Sequence, residues 1–334
     1  MAETKSGEIA SSPLDLSGPC APASALSASE SDALPLLTVD DILWFLYLYP
    51  LRSLSAFDPG SLIHPIGRLA EPFVQLRSRK RAEMVTDRML AAQGTGITRD
   101  QAPRIARQFI ANSTFRMLDD LVLSRPSFAR KLRCTGIEGL EHLERGKSGG
   151  KGVMVLTAHF CAGRIAKRYL ATVGYPMLSV RDQMPPGDWW GRLGRRILEP
   201  RRIELVQSVI GETVYVQDPG STLKILCRLR SGGLVSIHFD GHSGTRATPW
   251  PFLGVPRRFS TGVFDLVRLS GCAVVPMLCL GRSTAFRVIF SPMLDIVKAS
   301  GREAFIRANL PTFVQTIENQ IRNHPGEWEQ WMSF

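Results

Sequence analysis

One imidazole in this chain stands where an imidazole can work. His159 follows the run Gly152-Val153-Met154-Val155-Leu156-Thr157-Ala158, which reads as a buried central strand of an α/β sheet. Open sheets bind their ligands beyond the carboxyl ends of their strands. A histidine at that edge can take a proton from a hydroxyl or an amine near neutral pH. The plain alternative is a ring that satisfies a strand-end carbonyl. Farther along, His238-Phe239-Asp240-Gly241-His242 sets two imidazoles and a carboxylate at alternate positions, on one face if the strand continues. That set is either half of a metal site with N and O ligands or a strand end whose Asp240 meets substrate or a helix N-terminus. Cys161, two residues beyond His159, is a thiol nucleophile on one reading. On the other it is a small core residue, the commoner fate of a thiol at such a turn.

These residues need a frame. From Gly152 onward strands and helices alternate, which calls for an α/β fold with a largely parallel or mixed central sheet flanked by helices. Strands are expected at Val153–Thr157, Met177–Val180, Ile203–Val206, Leu234–His238, Ala273–Leu278 and Phe286–Phe290. Asp218 and Pro219 suit the start of a helix carrying Leu223, Leu226 and Leu229. A second helix starts at Ser260 or Thr261 and stops at Gly271, and a last one covers about Arg302 to Asn323. Apolar spacing of three to four through Ala106, Phe109, Ile110, Phe115, Leu118 and Leu121 makes the earlier part helical. The expected division is a disordered Ser/Ala/Pro-rich leader at 1–33, a helical region at 34–130 and an α/β domain at 131–334. The leader has no apolar core of the signal-peptide kind.

The chain has 334 residues, 44% of them hydrophobic, enough to bury a sizeable core. Its 41 Lys and Arg against 30 Asp and Glu leave a formal charge of +11, which favours anionic partners. Basic clusters such as Arg77-Ser78-Arg79-Lys80-Arg81 lack the interleaved aromatics that stack bases, and this argues against nucleic acid. Six scattered cysteines with no CxxC read as reduced thiols. The apolar stretch Ile42–Leu51 is roughly half the ~20 residues needed to span a bilayer. Its Trp and Tyr residues suit a membrane interface, and equally an ordinary buried helix.

From Gly152 to the C-terminus the chain resembles the bacterial lipid A biosynthesis (lauroyl/myristoyl) acyltransferases, part of the lysophospholipid acyltransferase superfamily. Four segments in order carry the resemblance: GVMVLTAHF at 152–160, HFDGHSGTRATPWPFLGVPRRFSTG at 238–262, LVRLSGCAVVPM at 266–277 and HPGEWEQWMSF at 324–334. It implies transfer of a fatty acyl group from a thioester on acyl carrier protein or CoA to a hydroxyl or amine of a lipid acceptor. His159 is then the catalytic histidine, and Asp240 falls in an acidic substrate-binding loop together with Gly241. Arg181 and Asp182 match a block whose Arg contacts an acyl donor or phosphate, and Arg246 is a similar phosphate contact. No cofactor or metal is implied beyond the acyl-ACP or acyl-CoA co-substrate. The expected partners are that thioester, a lipid acceptor and an anionic membrane surface. The expected place is the cytoplasmic side of the bacterial inner membrane, peripheral or monotopic.

One departure stands out. The family pattern sets a carboxylate five residues after the histidine to orient its ring, and here Arg164 occupies that place. A guanidinium cannot accept the imidazole N–H. Three readings stay open: an acid supplied from elsewhere, by Asp182 or Asp240; a lone His159 acting on a more reactive acceptor; or a non-catalytic relative that binds lipid or acyl carrier. In a working site Arg164 would serve an anionic group of the donor or acceptor.

Overall fold

The computed structural model describes residues 34–334 except 58, 126, 131, 184–189 and 241–245. The leader expected at 1–33, and the candidate Gly241 with His242, lie outside the described residues.

The described chain opens on helices. α1 (Val39–Leu46) starts from a reciprocal Thr38–Asp41 capping box. Pro50 has no N–H to give, and the chain there runs through a π-type turn, Tyr47–Leu51. α2 (Arg52–Phe57), α3 (Pro59–Arg77) and α4 (Arg79–Ala91) lead to the long α5 (Ala102–Leu123). The stretch 42–51 faces two ways. Tyr47 and Leu48 are buried with Trp190, while Ile42, Phe45, Leu46 and Tyr49 are exposed. No described helix is long and apolar enough to cross a membrane.

Then come β1 (Cys134–Glu138), α6 (Leu140–Ser148), β2 (Val153–Thr157), α7 (Gly163–Thr172) and β3 (Met177–Arg181). α8 (Glu199–Ile210), β4 (Thr213–Tyr215), α9 (Ser221–Arg230) and β5 (Leu234–His238) follow. β6 (Ala247–Phe252) and β7 (Val255–Ser260) form a separate hairpin. α10 (Gly262–Ser270), β8 (Ala273–Arg282), β9 (Ala285–Phe290) and α11 (Arg302–Asn323) complete the order. The main sheet has seven strands in the order β1-β9-β8-β2-β5-β3-β4, parallel throughout except for β8 against β9. It is a mixed sheet with helices on both faces.

β2 lies near its centre. Met154 and Leu156 enter one apolar cluster and Val153 and Val155 the other, and all five residues are buried. Burial on both faces is why this strand reads as an unbroken apolar run rather than an alternation. Gly152 enters it with φ of 68°, and a Cβ there would lie 2.4 Å from the Leu229 carbonyl oxygen, so glycine is required.

Two expectations change. Ile203–Val206 is not a strand but the middle of α8, whose buried Arg202, Leu205, Val206 and Val209 keep helical spacing. Ile203, Leu205 and Val206 around Glu204 imitate a strand in a short window; the longer window decides. Asp218 and Pro219 lie in the turn before α9, which starts at Ser221 after Gly220 in the left-handed conformation. The edge strands β1 and β4 and the β6–β7 hairpin were not expected. The hairpin carries Pro249, Pro251 and Pro256, residues that cannot donate to a ladder and are tolerated outside the main sheet.

Candidate active site

Register builds the site. β2 and β5 run parallel with Thr157 opposite His238. Two residues further on, both chains have left the sheet at its carboxyl edge, and His159 stands beside Asp240. The His159 Nδ1 lies 2.7 Å from Asp240 Oδ1, and the His159 backbone N–H donates to Oδ2 at 2.8 Å. The carboxylate is fully buried while the imidazole is about one-third exposed. A third donor, the Trp328 indole N–H, reaches Asp240 Oδ2 at 2.6 Å. Burial pushes the Asp240 carboxyl up, but His159 and the indole outweigh it and hold the group below the usual carboxylate range. An ionised acid on Nδ1 fixes the tautomer with the proton on that nitrogen and leaves the Nε2 lone pair facing outward.

His238 is the second wall. Its ring stacks on that of His159 with centroids 4.1 Å apart and planes 16° from parallel. Burial, then the neighbouring His159, lowers its pKa well below the ordinary histidine value. It is a neutral plate that limits how the His159 ring can turn. The sequence left it open between half of a metal site and a strand end. Among the described residues no three His, Cys, Asp or Glu side chains are grouped to hold one.

The floor is the C-terminal segment. Phe160 forms an antiparallel bridge with Trp328, Glu329 N–H donates to the His159 carbonyl at 2.7 Å, and Cys161 N–H to the Glu327 carbonyl at 3.0 Å. Asn112 on α5 donates to the Gly326 carbonyl at 2.9 Å, tying the segment to the helical region. Cys161 is buried, and burial, then Glu329, raises its thiol well above the ordinary value, so it is a core residue and not a nucleophile.

Arg164 and Arg181 lie near this pair, each within electrostatic reach of His238, without bonding to it. Arg164, in the first turn of α7, turns to Asp120 on α5 and forms an ion pair with it. The acid expected five residues after His159 is replaced by Asp240 from the next strand. Asp182 is exposed and accepts from Gln217 Nε2 at 2.9 Å, so it does not orient the ring. Arg181 is half-buried at the carboxyl end of β3 and lines a cavity of about 220 Å³ with Ile203, Val206, Gln207 and Tyr215. Arg246 is exposed at the start of the hairpin, its carbonyl accepting from Thr261 N–H at 3.0 Å. Asp120 and Trp328 were not foreseen. The only signal for Trp328 was its place in the segment 324–334, and Asp120 had none.

Comparison with known proteins supplies the context. The family model described as bacterial lipid A biosynthesis acyltransferase matches residues 43–334. No curated protein matches the sequence. Among solved structures, the 1-acyl-sn-glycerophosphate (LPA) acyltransferase from Thermotoga maritima is similar at 12% identity. That match covers 84% of this chain and 97% of the other, with a TM-score of 0.34.

Proposed function

The chain belongs to the bacterial lipid A biosynthesis acyltransferase family and is an acyltransferase of lipid substrates; on that premise we propose that His159 is its general base, oriented by Asp240. The acyl group comes from a thioester of acyl carrier protein or CoA and goes to a hydroxyl or amine of the lipid acceptor. The observation that carries this reading is the 2.7 Å contact between His159 Nδ1 and a buried carboxylate. A hydroxyl is a weak nucleophile at neutral pH. His159 Nε2 takes its proton as the oxygen attacks the thioester carbonyl, and the imidazolium is balanced by Asp240. The tetrahedral intermediate then expels the thiolate, which collects the proton from His159. Product ester (or amide, from an amine) and free thiol account for all atoms. Donor and acceptor bind together, so no acyl-enzyme is needed. Arg181 and Arg246 serve as contacts for anionic parts of the substrates, while Arg164 is already paired with Asp120.

The test is direct. Purified protein, given acyl-ACP or acyl-CoA and candidate lipid acceptors, is expected to release one thiol per acceptor that gains one acyl mass. A folded protein that releases no thiol with any donor would leave the second reading, a lipid- or carrier-binding relative.

The reaction is proposed to run at the cytoplasmic face of the inner membrane. Supporting this, the outer sides of α1 and α3 carry exposed Ile42, Phe45, Leu69, Phe73 and Leu76, and Arg79, Lys80 and Arg81 follow on α4. Apolar residues beside Lys and Arg suit an interface with anionic lipid. Flotation with liposomes should show binding to anionic vesicles that weakens as salt rises from 0.05 to about 0.5 M. Equal recovery on neutral and anionic vesicles would contradict the electrostatic part, and none on either would contradict the whole.

A further inference from the structure

The helical region does not hold all of the exposed apolar surface. A second strip belongs to the α/β domain, just ahead of α8, in the π-type turn Gly194–Leu198 and the two residues before it. Leu193 and Ile197 are 40% and 51% exposed there. They stand four positions apart, on one side of the turn. Arg192, Arg195 and Arg196 flank them, and no acidic residue occurs from Trp190 to Leu198.

This strip is fastened to α1. Arg192 N–H donates to the Pro35 carbonyl at 3.0 Å, and Leu193 N–H to the Leu36 carbonyl at 3.1 Å. Asp41, in the first turn of α1, is 1% exposed. Its Oδ2 accepts from Thr38 N–H at 2.7 Å and from Gly191 N–H at 3.1 Å. Gly194 packs so closely on that carboxylate that a Cβ there would overlap it. Trp44 and Trp190 meet on the inner side, ring centroids 5.7 Å apart. With these groups turned inward, Leu36, Leu37, Phe45, Leu193 and Ile197 stay exposed. An apolar area of this extent marks an interaction surface.

We infer that residues 192–198 enter the lipid interface together with α1, so that an anionic bilayer holds the α/β domain itself. Resting on the interfacial placement of α1, this extends the membrane face from the helical region to the catalytic one. Charge favours lipid as the occupant. Arginines beside an apolar strip keep their guanidinium groups among headgroup phosphates, while their stems and the Leu and Ile side chains sink below. The strip lies on the side of the molecule that carries the site. Tyr47 shares one apolar cluster with Trp190 and is within electrostatic reach of Arg164, five residues after His159. A lipid acceptor then meets the sheet edge from the bilayer and need not cross water.

The experiment is flotation of the full chain with vesicles of phosphatidylcholine, alone or with phosphatidylglycerol added. Leu193→Glu combined with Ile197→Glu is expected to lower partition onto the anionic vesicles by roughly tenfold or more. Arg196→Gln should lower it by roughly fivefold at low salt and leave it unchanged at high salt. Leu223→Glu, at an exposed leucine on α9 outside this unit, should change nothing. Circular dichroism and thermal melting check the fold, and if the double variant does not fold, Arg196→Gln decides. In turnover the double variant should lose rate on an acceptor held in vesicles and keep it on the same acceptor dispersed in detergent. Equal loss on both overturns the inference. So does a double variant that floats like wild type while Phe45→Glu does not, a result that leaves the placement of α1 standing. Wild type that floats on neither vesicle removes both. A double variant with unchanged flotation and a smaller solution mass overturns the inference in favour of a contact between copies. Flotation needs no turnover, so failure of the acyl-transfer reading leaves this result to be read by itself.

Discussion

Asp240→Asn is expected to lower acyl transfer by roughly 10²- to 10⁴-fold, and His159→Ala by a similar factor, each in a folded protein. Asp240 meets three donors, with Oδ1 toward the His159 ring and Oδ2 toward the His159 backbone and Trp328 indole N–H groups. An amide has one acceptor oxygen. With that oxygen on the ring, its NH₂ faces two donors in a buried space, at about 1–3 kcal/mol for the unmet groups. Flipped, its NH₂ faces Nδ1 and drives the proton to Nε2, so the base is lost. The double variant should be no slower than the poorer single, because the two residues act as one unit. Thiol release gives the rates, and circular dichroism with thermal melting checks the fold. A single variant within severalfold of wild type would remove the pair from the mechanism.

Charge reversal at 164 should harm the protein and not improve it. From the sequence, Arg164→Glu would restore the family's carboxylate five residues after the histidine. In the structure that place is not vacant in function, since Asp240 already holds Nδ1. Position 164 faces Asp120, whose side chain is 8% exposed. A glutamate there sets two carboxylates together and breaks a largely buried ion pair, a loss on the order of 3–5 kcal/mol. Arg164→Glu is therefore expected to melt lower and to turn over no faster. Combining it with Asp120→Arg should recover part of the lost stability. Acyl transfer by Arg164→Glu well above wild type would show that residue 164 reaches the ring and that Asp240 does not suffice.

The sheet was legible where burial is complete. β2, β5, β8 and α11 could be read from the sequence because two-sided burial or a long amphipathic stripe leaves a continuous signal. β1 and β4 are edge strands of five and three residues, and edges carry little patterning. α8 misled because Ile203, Leu205 and Val206 look like a strand within a short window. At the site, the catalytic-type residues were nameable, but their pairing was not. That His159 meets Asp240 and not Asp182 depends on a strand register, and parallel register is set by packing across the sheet rather than by a local turn. The Arg164–Asp120 contact joins two helices 44 positions apart, and single-chain periodicity does not report on such pairs.

The seam between 159–161 and 327–329 has a kinetic meaning. The bonds that complete the pair join positions 81 and 88 residues apart. Chain entropy must be lost before contacts of such separation return anything, so they form late in folding. Trp328 and Trp331 are fully buried in the larger core, so the seam opens only together with that corner of it, an opening still smaller than global unfolding. Lifting the final segment would strip the indole from Asp240 and Glu329 N–H from the His159 carbonyl, and would draw Trp328 and Trp331 out of the apolar core they help to close. Turnover therefore reports the closure of that seam, and a preparation with native helix content can still be catalytically silent.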